Sequence, residues 1–384
     1  VSFYMHRTRL AIIRKSYRPD GGAERIIERM LSQLQSRFPL EISLLTQEWA
    51  SGHSPTMEII TLPKHGLTRG RRFTNFIKDS RAVLLQQDFD LVQSHERVPG
   101  SQIYRAGDGV HKEWIDIRCR QSAPLKRLAL RASPFHRAVI NAEKALFSHP
   151  QLEHVVCNSL QVKEEILLHY PQLSPSRIQV IYNGIELDEF LPASTRQRRL
   201  AKTRLGFAAD DPVLLSVGSG FYRKGIGTTL RALAAAPSWR LAIVGKEKQQ
   251  KSYQRLCRKL GVAERVRFAG VQGDVRPYYA AADLLVHPAL YDPFPNVALE
   301  AMASGLGVVT SDKCGASEII APGVNGFVIP AGDHLRLAAT LQECSDPGLL
   351  QKLGGNARQT AAEYPLERMS EALVSLYTSL LDKQ

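Results

Sequence analysis

The sequence predicts an α/β protein of two domains, each a parallel sheet wrapped by helices, with the sheets facing a central cleft. Three observations predict it. The 384 residues exceed one ordinary domain and suit two of roughly 150–200 residues each. Short apolar runs alternate with stretches of helical periodicity across brief connections, the pattern of parallel strands joined by crossover helices. The pattern also starts afresh near Val213, after a segment of different character. Both halves are therefore expected to be Rossmann-like, with ligands held by the loops at the carboxyl ends of the strands.

In the first half, Leu10 to Ile13 reads as a strand that ends in the turn Pro19-Asp20-Gly21-Gly22, and Ala23 to Leu34 has helical spacing. Ile42 to Leu45, Ile59 to Leu62 and Leu91 to Gln93 read as strands, the last ending near His95 and Glu96. Val155-Val156 is a strand leading to Asn158-Ser159, an N-cap for a helix over Leu160 to His169. Ile178 to Ile181 closes this half at the turn Asn183-Gly184. Residues 191–211, with Pro192, a basic cluster and Asp210-Asp211-Pro212, read as a linker containing a first helix.

In the second half, strands are expected at Val213 to Val217, Leu241 to Val244, Val266 to Phe268, Leu284 to His287 and Val308-Val309. Helices are expected at Gly227 to Ala235, up to Leu260, at Tyr278 to Ala282 and at Val297 to Ala303. The expected boundaries are 1–190 for the N-terminal domain, 191–211 for the linker and 212–364 for the C-terminal domain. A C-terminal amphipathic helix over 365–384 is expected to pack back toward the first domain.

Composition narrows the function class. The five cysteines are scattered and never spaced C-x-x-C, which argues against a disulfide framework and a zinc site and fits a reducing compartment. No apolar run approaches the ~20 residues a membrane span needs. A net charge of +13 calls for an anionic partner or a merely solvated basic surface. The distribution favours a membrane face or phosphorylated acceptor over nucleic acid. From Ile117 to Ala142 there is no acidic residue, while Arg118, Arg120, Lys126, Arg127 and Arg131 all occur among apolar residues such as Leu125 and Leu128. A second basic cluster is Lys64, Arg69, Arg71 and Arg72. Aromatic residues make up only 7% and no nucleic-acid motif is present.

Three segments carry chemistry. Gly218-Ser219-Gly220-Phe221-Tyr222-Arg223-Lys224-Gly225 follows a strand and opens a helix; glycine lets backbone approach an anion, and Arg223 and Lys224 add fixed positive charge. It lacks the third glycine of a dinucleotide fingerprint and the Ser or Thr of a Walker A loop. Asp292-Pro293-Phe294-Pro295-Asn296-Val297-Ala298-Leu299-Glu300 also runs from strand to helix. Its carboxylates can accept from sugar hydroxyls, and the amides of Asn296, Val297 and Ala298 lie where a helix begins. Gly21-Gly22 at the first turn permits close ligand approach. Each segment alone is also compatible with an ordinary turn or a capping acid.

Together, G-G-A-E-R from Gly21, N-G-I-E-L-D from Asn183, R-K-G from Arg223 and D-P-F-P-N-V-A-L-E-A-M-A-S-G from Asp292 resemble family 4 of the glycosyltransferases, a retaining family with the GT-B fold. Ser219 stands where that family usually has arginine, a variant that resembles the bacterial lipopolysaccharide core glucosyltransferases. The resemblance implies a UDP-sugar donor, with UDP-glucose first, and a lipopolysaccharide core heptose or similar glycolipid acceptor. It also implies no metal cofactor and a cytoplasmic location at the anionic inner face of the membrane. By position, Arg223 and Lys224 would bind the diphosphate, Glu300 the ribose and Asp292 the donor sugar. Gly21 and Gly22 would line the phosphate side, with Val271 and Gln272 at the base. Asp108 is the candidate acid or base near the acceptor hydroxyl, and His95, Glu96 and His111 are further acceptor-side candidates.

Rival readings have weaker signals. Asp88-Phe89-Asp90 is a D-x-D sequence of the kind metal-dependent transferases use, but it precedes a strand and reads as a polar turn. A nonenzymatic lipid- or nucleic-acid-binding protein would explain the charge and leave the ordered motifs unexplained. Another family 4 hexosyl- or N-acetylhexosaminyltransferase with a different acceptor is the nearest alternative.

Overall fold

A computed structural model describes residues 8–17, 35–36, 39–49 and 57–382. The turn and helix expected over residues 18–34, including Gly21 and Gly22, lie outside the described residues. The chain divides into two compact units, Val1–Tyr182 with Glu367–Gln384, and Asn183–Leu366.

The first unit carries a seven-stranded sheet of β1 (Thr8–Ile13), β3 (Leu40–Thr46), β5 (Met57–Thr61), β6 (Leu91–Ser94), β7 (Ile103–Arg105), β8 (His154–Cys157) and β9 (Ile178–Val180). Its spatial order is β5-β3-β1-β6-β7-β8-β9, and the pairings are parallel. The short β2 (Ser16–Tyr17) and β4 (Glu48–Trp49) pair beside it. Leu10, Ile12, Ile13, Leu45, Val155 and Cys157 are buried without exposure, as near-continuous apolar strands of a two-sided parallel sheet must be. The sequence reading assigns no bounds to β7 or to the helices between residues 69 and 147. These are α1 (Arg69–Gln86), α2 (His111–Arg120), α3 (Pro124–Ala132) and α4 (Pro134–Phe147). Dense basic residues hide their apolar stripes. Two expected boundaries are close: the helix over Leu160–His169, here α5, has Ser159 as its N-cap, the hydroxyl accepting from the Val162 amide at 3.2 Å.

The second unit carries six parallel strands: β10 (Val213–Val217), β11 (Arg240–Val244), β12 (Val266–Gly270), β13 (Leu284–His287), β14 (Gly307–Ser311) and β15 (Gly326–Ile329). Their order is β12-β11-β10-β13-β14-β15, so the direction of winding reverses between β10 and β13. Connecting helices include α6 (Thr195–Arg204), α7 (Ile226–Ala234), α8 (Gln250–Lys259), α9 (Arg276–Ala281) and α10 (Asn296–Ala303). The sequence reading omits β15, α11 (His334–Glu343) and α12 (Pro347–Ala362).

Two boundaries differ from expectation. Residues 183–211 belong to the second unit, and the segment 191–211 is not a bare linker. Its helix α6 is anchored because Asp283, just before β13, accepts from both Arg198 and Lys202, the latter at 2.8 Å and buried. Arg358 on α12 donates to the carbonyls of Leu187, Phe190 and Ala303, fastening the same segment from the other side. The final helix α13 (Leu366–Leu381) lies with the first unit from Glu367 onward. There the Tyr377 hydroxyl donates to Gln93 Oε1 at 2.5 Å.

Candidate active site

The second unit builds its site where the strand order reverses, the place at which open parallel sheets bind ligands. The loop after β10 and the loop after β13 meet there at backbone distance. Gly225 caps α7 with φ +74°, and a Cβ on it would lie 1.9 Å from the Pro288 carbonyl oxygen. Leu290 N donates to Arg223 O at 2.8 Å. On the far side, Asp292 N donates to Lys313 O and Gly315 N to Asp292 O. The backbone of Asp292 is therefore held to the loop after β14, and that of Leu290, two residues earlier, to the loop after β10.

Its carboxylate is buried and receives two donors on one oxygen: Lys224 Nζ at 2.5 Å and His287 Nε2 at 2.8 Å. Burial pushes the Asp292 pKa up, but Lys224, the His287 hydrogen bond and the nearby charge of Arg223 outweigh it and hold the acid well below its ordinary range. An ionised carboxylate only accepts, so His287 must carry its proton on Nε2. The His287 pKa is lowered by burial and then by Lys224. Lys224 reaches Asp292 along Gly218: with φ +132°, a Cβ there would meet Lys224 Cε at 3.1 Å.

Glu300 on α10 is also buried, and Tyr279 Oη on α9 donates to its Oε2 at 2.7 Å. Asn296 opens α10, and its Oδ1 accepts from Asn183 Nδ2 at 2.7 Å. Pro295 is the N-cap and supplies no side-chain acceptor, so no side chain caps the amides at 296–298. Val271 is exposed after β12, and Gln272 folds back to donate to Ala269 O at 2.6 Å. The structure thus brings Lys224 and Asp292 into contact and sets Arg223 on the β10 loop and Asn296 and Glu300 on α10, which follows the β13 loop. Sequence reasoning missed His287 and Tyr279. It quoted His287 only within a motif, and nothing local marked either as a partner of a site acid. It also saw Ser219 only as a departure; the Ser219 hydroxyl accepts from Lys246 N at 3.0 Å and ties the β10 loop to the β11 loop.

In the first unit, the corresponding loops follow β1, β6 and β7. Glu96 Oε1 accepts from Lys15 N at 3.2 Å. Its pKa is raised by burial and then by the charge of Asp108, with Arg14 and Arg97 opposing. Asp108 itself is exposed, on the loop between β7 and α2. A carboxylate pair with one member pushed up is a candidate acid–base arrangement. Asn158 ends β8, its Nδ2 donating to Gly107 O at 3.4 Å while its buried Oδ1 has no protein partner. Ser159, not Asn158, does the capping, so the sequence reading merged two roles.

Other acceptor-side candidates are differently placed. His95 is buried, its Nε2 bonded to Gln93 at 3.0 Å, and burial with Arg14 and Arg105 keeps it neutral; direct contact with an acceptor needs an accessible ring. His111 bonds His136 at 3.0 Å, and burial lowers its pKa to about 3. Glu143, which sequence reasoning did not single out, organises this region. It accepts from Arg97 Nε, the amides of His111 and Lys112, and the Tyr170 hydroxyl.

The basic stretch is only partly available as a surface. Arg120 pairs with Glu113 at 2.8 Å, and Arg127 donates to the Cys119 carbonyl, closing the end of α2. Arg118 lies over Trp114, and Arg69 stacks on Phe135 at 3.8 Å. Lys126 and Arg131 are exposed on α3 beside Leu125 and Leu128, which are 84% and 66% exposed. No described helix is long and apolar enough to cross a membrane. Asp90 of the D-x-D sequence accepts from Arg9 N at 2.7 Å at the head of β1. Among the described residues, Glu113, Asp116 and His169 form one group with metal-ligand spacing, but Arg120 and Lys112 already neutralise its acids.

Two family models match the chain in tandem, one described as Glycosyltransferase Family 4 over residues 20–189 and one as Glycosyl transferases group 1 over residues 197–360. The chain is similar to the lipopolysaccharide glucosyltransferase WaaG of Escherichia coli, at 28% identity over 95% of this chain and 97% of that protein. A crystal structure of WaaG superposes with a TM-score of 0.84, covering 96% of this chain and 99% of the other. The Anabaena protein HepE, solved with UDP-glucose, shares the fold at a TM-score of 0.74 and 20% identity, covering 97% of this chain and 100% of that one.

Proposed function

The chain belongs to the family 4 glycosyltransferases, with two GT-B-type domains, and on that premise we propose that it moves a hexose, glucose first among the candidates, from a UDP-sugar to a hydroxyl of a lipopolysaccharide core heptose or a similar glycolipid. The observation that carries the reading is the Lys224–Asp292 contact at the reversal point of the second sheet, with Arg223 on the β10 loop and Glu300 on α10. Likeness to WaaG over nearly the whole of both chains supports the acceptor class, and the UDP-glucose complex of HepE supports a UDP-sugar for this fold.

In the proposed reaction the anomeric carbon–oxygen bond to the diphosphate breaks as the acceptor oxygen approaches the same face, so configuration is retained. Arg223 and Lys224 stabilise the charge that develops on the departing diphosphate, without a metal. One such preorganised donor is worth about 10²–10³ in rate. Glu300, oriented by Tyr279, accepts from the ribose hydroxyls. Asp292 accepts from the sugar once Lys224 turns to phosphate. The backbone of Val271 and Gln272 meets the base, and the amides of Asn296 and Val297 face donor oxygens, that of Ala298 being bonded to the Pro295 carbonyl. Asp108, next to the pushed-up Glu96, orients the acceptor hydroxyl and takes up its proton. The basic and leucine-bearing face of α3, with Leu67 and Arg71, rests the enzyme on the anionic inner face of the cytoplasmic membrane.

The test is calorimetric titration with UDP in chelator, followed by transfer from UDP-glucose to a heptose-bearing core lipid and assignment of the anomer by NMR. Metal-free UDP binding and an α-linked product are expected. UDP binding that requires a divalent ion would overturn the metal-free site, and an inverted product would overturn the mechanism. Sedimentation with anionic but not neutral vesicles, lost in Leu125→Asp/Leu128→Asp, is expected; equal binding to both vesicles would overturn the membrane assignment.

A further inference from the structure

The Asp292 carboxylate poses a problem that the donor reading leaves open. Lys224 and His287 both donate to Oδ2. If Lys224 serves a diphosphate, it must swing away from a buried anion that its own charge now balances. A buried carboxylate left without a cation is costly unless another donor takes its place. Among the described residues, His287 is the other side chain that already donates to this carboxylate.

Building on the donor-site reading, we propose that His287 is a positioning residue that takes over the Asp292 carboxylate when Lys224 turns to the diphosphate, becoming an imidazolium by taking a proton from solvent onto Nδ1.

The geometry prepares this exchange. His287 ends β13 and is buried; its carbonyl accepts from Thr310 Oγ1 at 3.1 Å, and the preceding Val286 carbonyl accepts from Ser216 Oγ at 2.8 Å. The backbone that carries the ring is therefore anchored from both neighbouring strands, while the ring Nε2 faces Asp292. The charged and titratable groups around it are few. Arg223 and Lys224 come from the β10 loop, Asp292 from its own loop and Cys314 from the β14 loop. The Cys314 thiol is pushed up to about 12 by burial and then by Asp292, so it stays neutral. The imidazole is held neutral by burial and next by Lys224. Moving Lys224 away and bringing two phosphate charges near both favour the imidazolium, and Asp292 gains an ionic partner in place of the one it loses. The carboxylate then stays ionised and fixed for the sugar hydroxyls throughout the exchange.

The experiment is titration calorimetry of the full chain with UDP-glucose at pH 7 in buffers of different ionisation enthalpy. UDP-glucose has no phosphate group that titrates near neutrality, so proton uptake reports on the protein. Wild type is expected to take up a fraction approaching one proton per donor bound. His287→Gln keeps a donor toward Asp292 and cannot titrate; it is expected to bind UDP-glucose with an enthalpy independent of buffer. As a second readout, histidine ring ¹⁵N spectra of the wild type are expected to show one ring passing from neutral to doubly protonated on binding. Binding without proton uptake and without that spectral change would overturn the role of His287 while leaving the donor site standing. Uptake that persists in His287→Gln would assign the proton elsewhere. Absence of binding by either UDP or UDP-glucose would overturn the donor-site reading, and this inference with it.

Discussion

Replacing Lys224 by Met separates what the ion pair does for folding from what it does for catalysis. Methionine keeps an unbranched stem along Gly218 and removes only the charge. The two side chains are 13% and 6% exposed with N and O 2.5 Å apart. At an effective dielectric near 20, two charges at that distance attract by roughly 6–7 kcal/mol, much of it offset by desolvation. Breaking one side of a buried pair typically costs about 3–5 kcal/mol. His287 still donates to Asp292, so the lower end, ~3 kcal/mol, is expected. Spread over a unit of this size, that lowers Tm by roughly 6–12 °C. Adding Asp292→Asn removes the stranded charge while its carboxamide oxygen still accepts from His287, and about 1–2 kcal/mol should return. Scanning calorimetry of the wild type, Lys224→Met and the double variant measures this. Transfer from UDP-glucose should stay about 10²–10³-fold down in both variants, because both lack the diphosphate donor. If the double variant melts no higher than Lys224→Met, the loss is not a stranded carboxylate, and the charge argument for this site fails.

Tyr279→Phe leaves Glu300 Oε2 without the hydroxyl that now orients it, a hydrogen bond to a charged group worth about 1.5–3 kcal/mol; the donor KM should rise about tenfold or more with kcat less affected, and unchanged donor kinetics would detach Glu300 from the ribose. Gly225→Ala forces a Cβ to within 1.9 Å of the Pro288 carbonyl at a left-handed backbone position, so soluble yield and melting temperature should both fall sharply; a well-folded variant would refute the close approach. The lowered pKa values of His95, His111 and His287 mean that the unfolded chain binds protons which the folded one resists. That stability is present above the ordinary histidine pKa of about 6.5 and is lost as pH falls toward the folded values, about 3 for His111. Urea midpoints should therefore drop from pH 7 to pH 4, less steeply in His111→Gln.

The second unit was far more legible from sequence than the first, for a physical reason. Its strands β10, β11 and β13 are largely apolar runs that stop at Gly218, Gly245 and Pro288, so the end of each element is marked. The region of residues 69–147 lacks such marks. Its helices bury a few residues, such as Phe73 and Phe76 on α1, and expose the rest, so charge masks the periodicity. Candidate site residues followed the same divide. Arg223, Lys224 and Asp292 stand in loops, and Glu300 in the helix after one of them, whose positions the strand pattern fixes. Their partners His287 and Tyr279, and Glu143 in the first unit, act across 5, 21 and 46 positions of sequence, and no local spacing encodes such contacts. The helix expected within residues 191–211 is present as α6, and its anchoring by Asp283 could not be read locally, because Arg198 and Lys202 meet that acid across more than 80 positions of sequence.

The two sheets place their first four major strands alike, and both reverse direction between the first and fourth, β1 and β6 in one unit, β10 and β13 in the other. What the loops carry at that point differs in sign of purpose. In the second unit the adjacent cations Arg223 and Lys224 both stand on the β10 loop, so a diphosphate entering beside that loop meets two positive charges. In the first unit Glu96 is tied to Lys15 N and its pKa is raised by burial and then by its neighbour Asp108, so the groups on offer are carboxyls and one of them is poised to hold a proton. Transfer from a phosphate-linked sugar to an alcohol needs these two environments: cationic for the group that leaves, basic for the oxygen that arrives. Exchanging them would fail on both counts, since a carboxylate pair repels a diphosphate and a lysine–arginine pair cannot accept a hydroxyl proton. Asp108→Asn is therefore expected to lower kcat at least about 10²-fold while leaving the UDP affinity of the second unit intact. Loss of UDP affinity in that variant, measured by the same calorimetry, would contradict a division of labour between the two sheets.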